Sequence, residues 1–307
     1  MAAHEVGARP MPAPALRERW TALRNLARAT RREPVGAAAG MVCLLLVALA
    51  VFAGQLAPHA VDATSFPRLH APSLEYPFGT DNLFRDMFSR IIVGSRISIG
   101  VGFGSVFIGT LIGTVLGMVG GYLGGWADLV IGRLLDVILG FPPLVAAIFF
   151  LTIFNTNRGY SLHSFLLVSL AIGLIIAPTT ARIVRGAVLS IRTLQYIEAA
   201  EATGNSTLRI MWRHVLPNVV APIIVIASVQ IGNAILAEAA LSFLGLGIGD
   251  DSHPSWGKML QDTRGVWQAA WWTAVMPGMA ISLAVLSFNV FGDALRDVLD
   301  PRLRQSS

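Results

Sequence analysis

The chain has 307 residues, of which 54% are hydrophobic and only 13% charged, with a net charge of +5 and a mean hydropathy of +0.63. Soluble domains average about 25% charged residues, so this composition excludes an ordinary globular enzyme or binding module. The basic balance needs no nucleic-acid partner if the arginines sit on one side of a membrane.

Cutting the sequence at every Asp, Glu, Lys and Arg leaves six uncharged runs of 21 or more residues, at 34–61, 97–127, 137–157, 159–181, 214–237 and 265–292. About 20 apolar residues cross the hydrocarbon core as a helix, which satisfies its own backbone there. The expected fold is therefore all-α and polytopic, with six transmembrane helices. Residues 1–33 read as a separate basic segment: a Pro-rich leader (Pro10, Pro12, Pro14), then a basic amphipathic stretch near 16–32 at the membrane surface. Residues 34–307 are the transmembrane domain. The first run, with its long basic leader, exceeds the pattern of a removable signal and reads as a retained anchor. It carries the single cysteine, Cys43, so no disulfide framework or cysteine-based metal site is available.

In the second run Gly109, Gly113, Gly117, Gly121 and Gly125 recur every four residues. Such a smooth stripe predicts close packing against another helix. Arg133 and Asp136, at i, i+3 near the inner end of the third span, are expected to neutralise one another. Gln230, Asn233 and Asn289 are expected to hydrogen-bond between helices. Glu238, an isolated carboxylate toward the outer end of the fifth span, is a candidate for the transport pathway, with a loop-bonded or interfacial role as the alternative.

With the N-terminus inside, the inner segments hold sixteen Lys or Arg and the outer ones seven. The positive-inside rule then places both termini in the cytoplasm of a multi-pass cell-membrane protein. The outer loops, about 58–96 and 244–270, mix Gly, Pro and Asp with aromatics and suit folded caps. Asp250, Asp251 and His253 lack metal-ligand spacing and read as a solvated turn. No Walker A loop, HExxH or G-x-S-x-G motif is present, so no catalytic residue is expected. A membrane-embedded enzyme would need a convergent set of ionisable residues at one depth; a pure scaffold would need no ATPase partner.

The largest inner loop, about 186–217, contains "EAAEATGNSTLRIMWRHVLPN". Thr193 to Thr203 favours a helix, and Gly204 supplies a left-handed cap. Asn205 and Ser206 are expected to cap a second short helix from Thr207, with Pro217 closing the loop before the fifth span. Ala199, Ala200 and Ala202 keep the first helix slim enough for a cleft on another protein, where Glu198 and Glu201 would meet cationic partners.

At these residues the sequence resembles permease subunits of binding-protein-dependent ABC importers. Their signature is Glu-Ala-Ala, three residues, Gly, nine residues, Ile, one residue, Leu-Pro. Glu198-Ala199-Ala200, Gly204 and Leu216-Pro217 match it, with His214 in the Ile position. "RHVLPN", "FGTDNLFRDMFSRIIVGSRISIGVG" (78–102) and "EAALSFLGLGI" (238–248) are similar to the C-type subunit of the dipeptide, oligopeptide and nickel branch. Phe84 departs from that branch, which generally has Gly there. The resemblance implies a type I importer permease, forming half of a pathway with a second homologous permease. Two cytoplasmic ATPases, holding ATP and Mg, would supply energy, and an external binding protein would deliver peptides or, alternatively, nickel or another small solute. It implies that 193–213 is the coupling element, with Glu198, Ala199, Ala200, Glu201, Gly204, Arg209, His214, Leu216 and Pro217 at or near the ATPase.

Overall fold

A computed structural model describes residues 33–154 and 159–299, so the leader and the basic stretch at 16–32 lie outside the described residues. The helices are α1 (Pro34–Val51), α2 (Ala53–Leu56), α3 (Met87–Leu123), α4 (Gly125–Leu139), α5 (Pro143–Phe154) and α6 (Leu162–Arg192). They continue as α7 (Gln195–Ala202), α8 (Thr207–Ile210), a π-turn at Met211–Val215, α9 (Leu216–Phe243), α10 (Trp256–Asp262) and α11 (Trp272–Leu299). Among the described residues β pairing is limited to an isolated Thr80–Asp86 bridge.

Five of these elements are long and apolar enough to span a membrane: α1, α3, α6, the continuous Thr207–Phe243 rod and α11. The run at 137–157 is not one straight helix. There α4 and α5 meet at a 92° bend, because Pro142 and Pro143 have no N–H to donate to the carbonyls of Ile138 and Leu139. The 12 residues of α5 would reach only ~18 Å of a ~30 Å core, so only the bent pair together supplies a sixth span.

α3 starts at Met87, well before its uncharged run begins at 97. Its early charges are bonded, Arg90 in a buried site and Arg96 at an exposed one. Arg90 donates to the carbonyls of Val61 (3.0 Å) and Asp251 (2.9 Å), and Arg96 donates to that of Ala50 (3.2 Å). Asp86 caps the helix by accepting from the Ser89 N–H at 2.9 Å.

The glycine stripe seats α3 on α6. A Cβ on Gly109, Gly113 or Gly117 would stand 2.6, 2.6 and 2.5 Å from the carbonyl oxygens of Gly173, Ala177 and Ala181. Both helices advance four residues per contact, so they run parallel with α4 and α5 as the crossover. Gly125, expected as the fifth member, instead opens α4 at φ +53° with open space beside it.

α11 runs antiparallel to α9: Gly292 abuts Val229, and Gly232 abuts Val285 and Asn289. Gly36 and Gly40 of α1 abut Ala294 and Phe291. The two outermost described segments therefore lie at the same end of the bundle as α7 and α8. The opposite end carries a folded cap made from the segments around 57–86 and 244–271. Arg85, 3% exposed, joins its halves by pairing with Asp81 (2.6 Å), Asp251 (2.7 Å) and Asp262 (3.5 Å). Trp256 is fully buried, donating from its indole to the Ile91 carbonyl (2.9 Å) and from its backbone to the Ser98 hydroxyl (3.1 Å).

Candidate functional site

α7 ends as its sequence dictates. Gly204 takes φ +78°, its N–H donates to the Glu201 carbonyl (2.9 Å) and the Asn205 N–H to that of Ala200 (3.2 Å). This pair of bonds is the Schellman turn. Asn205 works on the helix behind it rather than the one ahead. Its side-chain amide donates to the Ala200 carbonyl at 3.0 Å, while Ser206, the N-cap of α8, makes no side-chain capping bond.

The α7 helix is mounted on this chain's own core. Ile197 (1% exposed) and Ala200 pack with Ile210, Met211 and Val215 against Met118, Tyr122, Val184, Val188 and Val219. Ala200 thus faces inward, and only Ala199 and Ala202 remain on the slim outer face. Glu201 is also engaged within the chain, since its carboxylate accepts from the Tyr122 hydroxyl at 2.7 Å. Arg192 lies over the same tyrosine ring, 5.9 Å from its centroid. Glu198 is exposed and makes no side-chain bond among the described residues. On the same loop Leu194, Tyr196, Leu208 and Trp212 expose 43, 43, 64 and 63% of their surface. Exposed aromatic and aliphatic side chains on one segment are the composition from which protein interfaces are built.

The remaining signature residues support the turn. Arg209 is exposed and reaches the Asn205 side-chain oxygen at 3.5 Å. His214 is half-buried, its ring 6.4 Å from that of Tyr196. Leu216 packs on the cluster under α7. Pro217 lies in the first turn of α9 but does not close a loop, because the chain is helical from Thr207 onward. Pro217 has no N–H for an α-type bond, and the helix passes it by a π-turn in which the Leu216 N–H donates to the Met211 carbonyl.

The polar residues of the spans are arranged differently from their sequence reading. Asp136 pairs with Arg182 (2.7 Å) instead of Arg133, and Asp128 pairs with Arg185, so both ion pairs tie α4 to α6. Asn233 donates to Gln230 at 2.9 Å within α9 rather than across helices. Asn289 lies against Gly232 with its carbonyl oxygen unpaired. Glu238 is fully buried, accepting from the Ser242 hydroxyl at 2.6 Å, and does not open onto a cleft. Among the described residues no group of three or more His, Cys, Asp or Glu is placed to hold a metal ion. Asp250 instead caps a turn, accepting from the N–H groups of Ser252, His253 and Tyr160.

One cleft does open beside the spans. It measures about 460 Å³ and lies between the α4–α5 bend, α6 and α9. Its wall is apolar apart from Thr179, Gln230 and Asn233. Sequence reasoning missed this site because the α4–α5 bend that shapes it interrupts what reads as a straight span.

An all-helical bundle with five or six candidate spans and a folded cap at one end defines a polytopic membrane protein. Residues 109–305 match the model of the binding-protein-dependent transport system inner membrane component, and the chain belongs to that family. It is 41% identical over 259 residues to the dipeptide transport system permease protein DppC of Alkalihalophilus pseudofirmus, covering 84% of this chain and 83% of that one. It is 41% identical over 286 residues to the glutathione transport system permease protein GsiD of Pectobacterium atrosepticum, covering 92% of each. Among solved structures, the inward-facing MetNI methionine ABC transporter matches its fold with a TM-score of 0.56 and 18% identity, over 70% of this chain and 98% of that one.

Proposed function

We propose that this chain is one half of the translocation pathway of an ATP-driven peptide importer. A second homologous permease completes the pathway, an extracytoplasmic binding protein delivers the peptide at the cap, and two cytoplasmic ATPases carry ATP and Mg. α7 seats in a groove on one ATPase, with Glu198 toward a cation there. Both chain termini lie in the cytoplasm with α7, as the excess of arginine at that end supports. The chain performs no covalent chemistry of its own.

The observation that carries this reading is the free Glu198 face, on a loop with exposed apolar side chains yet rigidly fixed to the core through Ile197 and Ala200. A helix held rigidly from behind passes a push on its outer face to the spans. ATP-driven closure of the ATPases would bias the spans between inward-open and outward-open states.

Purification of the chain alone and with its partners tests this. The isolated chain is expected to hydrolyse no ATP, and the assembled complex to show hydrolysis stimulated by peptide-loaded binding protein. ATP hydrolysis by the isolated chain that survives removal of contaminants would contradict the assignment.

A further inference from the structure

We propose that the cleft between the α4–α5 bend, α6 and α9 is a substrate subsite in which Gln230 and Asn233 together hold one peptide unit. The inference rests on the peptide-import reading above and assigns the residues that carry it.

Gln230 and Asn233 sit midway along α9, which spans Leu216–Phe243. Asn233 is exposed on that helix. A side-chain amide turned to lipid at this depth would face hydrocarbon with nothing to bond. Its surroundings show where it turns instead. Both amides line the cleft, with Ile138, Phe141, Leu144 and Leu236 on the apolar walls. The volume falls within the range of about 300–1,000 Å³ usual for small-molecule sites.

The chemistry of the pair selects the ligand. Asn233 donates to the Gln230 carbonyl oxygen at 2.9 Å. That bond leaves the Asn233 oxygen as an acceptor and the Gln230 NH₂, with the second Asn233 N–H, as donors, none with another side-chain bond among the described residues. An acceptor beside a donor is the complement of a secondary amide, which offers one N–H and one C=O. Reversing both side-chain amides exchanges the two roles and leaves the same complement. The lining contains no Asp, Glu, His, Cys, Lys or Arg. It therefore offers neither imidazole, thiolate or carboxylate ligands for a transition-metal ion nor counter-charges for the termini of a peptide. What it reads is the uncharged peptide bond, with side chains accommodated on apolar walls.

The competing occupant is a helix of the second permease, bonded to the same amides. The two are separated in proteoliposomes containing the complete importer, using alanyl-alanine and its ester isostere alanyl-lactate, which lacks the peptide N–H. The binding protein's own preference is common to all variants and cancels when the ratio of the two uptake efficiencies is compared with wild type. With the amides as placed, Asn233→Leu removes the acceptor for the peptide N–H and is expected to lower the preference for the amide by about three- to tenfold, the scale of one hydrogen bond. Gln230→Leu removes the donor to the carbonyl that both compounds share and is expected to lower uptake of both. The second permease should co-purify normally with both variants. In a Cys43→Ser background, Asn233→Cys should react with a water-soluble thiol reagent and be protected by alanyl-alanine.

An unchanged amide-to-ester ratio with normal uptake would overturn the subsite while leaving peptide import standing. Loss of the second permease from the complex, or an Asn233→Cys that reacts in no nucleotide state, would assign the amides to helix packing instead. Failure of the wild-type importer to take up either compound would remove the import reading and the subsite with it.

Discussion

Phe84 has φ +60°, in a tight turn where the Asp81 N–H donates to the Arg85 carbonyl at 3.0 Å and the Asp81 carboxylate accepts from the Leu83 and Arg85 N–H groups. Related permeases of the resembled branch generally carry Gly there, and the structure keeps the turn that glycine would favour. A left-handed L-residue costs roughly 1–2 kcal/mol, and the ring, 44% exposed, recovers little of it by packing. Phe84→Gly is therefore expected to stabilise the cap by about 1 kcal/mol. Resistance of the purified protein to heat and protease should increase, whereas Phe84→Ala, which keeps the Cβ, should show no such gain. Gly204 is the converse case and was legible from sequence, since glycine after a helix-forming run is a local signal. The bond from Tyr122 to Glu201 was not legible, because the two residues are 79 positions apart and meet only once α3 and α6 have packed.

At the scale of elements, the glycine stripe decides whether α3 and α6 can meet. Gly113→Leu would push a side chain into the Ala177 carbonyl, the Thr180 Cβ and the Ala181 N–H, 2.6 to 3.0 Å from the new Cβ. Neither backbone can yield, so a loss of more than 3 kcal/mol is expected, at or above the upper range for overpacking. Its measure is collapse of monodisperse protein in detergent. Gly132→Leu, where a Cβ meets nothing within 4 Å, should be tolerated.

α3 also has a mechanical role. With 37 residues it is ~55 Å long, touching the cap through Arg90 and Trp256 at one end and α7 through Tyr122 at the other. Tyr122→Phe removes a single hydroxyl and should cost about 1 kcal/mol without dislodging the ATPase. If α3 relays cap movement to α7, basal hydrolysis should persist while stimulation by loaded binding protein falls several-fold. Equal stimulation in both forms would show the bond to be structural only. The spans themselves were legible because charge gaps mark them. The 92° bend was missed despite its Pro-Pro pair, since an uncharged run carries no information on its own straightness. The early start of α3 was missed because Arg90 reads as a loop residue until its carbonyl partners, supplied by distant segments, are in place.

For the whole molecule, the cap depends on buried Arg85 and its carboxylates. The hydrogen bond from Arg85 holds the Asp251 carboxyl below its ordinary value, partly opposed by burial. A depressed carboxyl stabilises the fold above its unfolded pKa, and that contribution disappears as pH falls through the lowered folded value. The cap should therefore resist protease unchanged from neutral pH down to about pH 4 and loosen only below it. Asp251→Asn should loosen it across the whole range. Unaltered resistance in Asp251→Asn would show that the ion cluster is not what closes the cap.

The central claim is that α7 couples this chain to an ATPase, and one comparison in the assembled importer tests it most directly. Gly204 has no atom within 4 Å of a new Cβ, so Gly204→Val strains the turn alone, by roughly 1–2 kcal/mol. Glu198→Arg reverses a free charge on the docking face, and truncating a buried interfacial pair costs about 2–5 kcal/mol. Asn205→Ala removes the side-chain bonds to the Ala200 carbonyl, the Thr203 hydroxyl and Arg209 and leaves Glu198 untouched. The measurement is ATPase co-purification together with peptide uptake for the three variants, each inserted in the membrane at wild-type level. Gly204→Val and Glu198→Arg are expected to weaken attachment and abolish uptake, while Asn205→Ala stays close to wild type. Normal attachment and uptake in both severe variants would contradict the assignment of α7 as the coupling element.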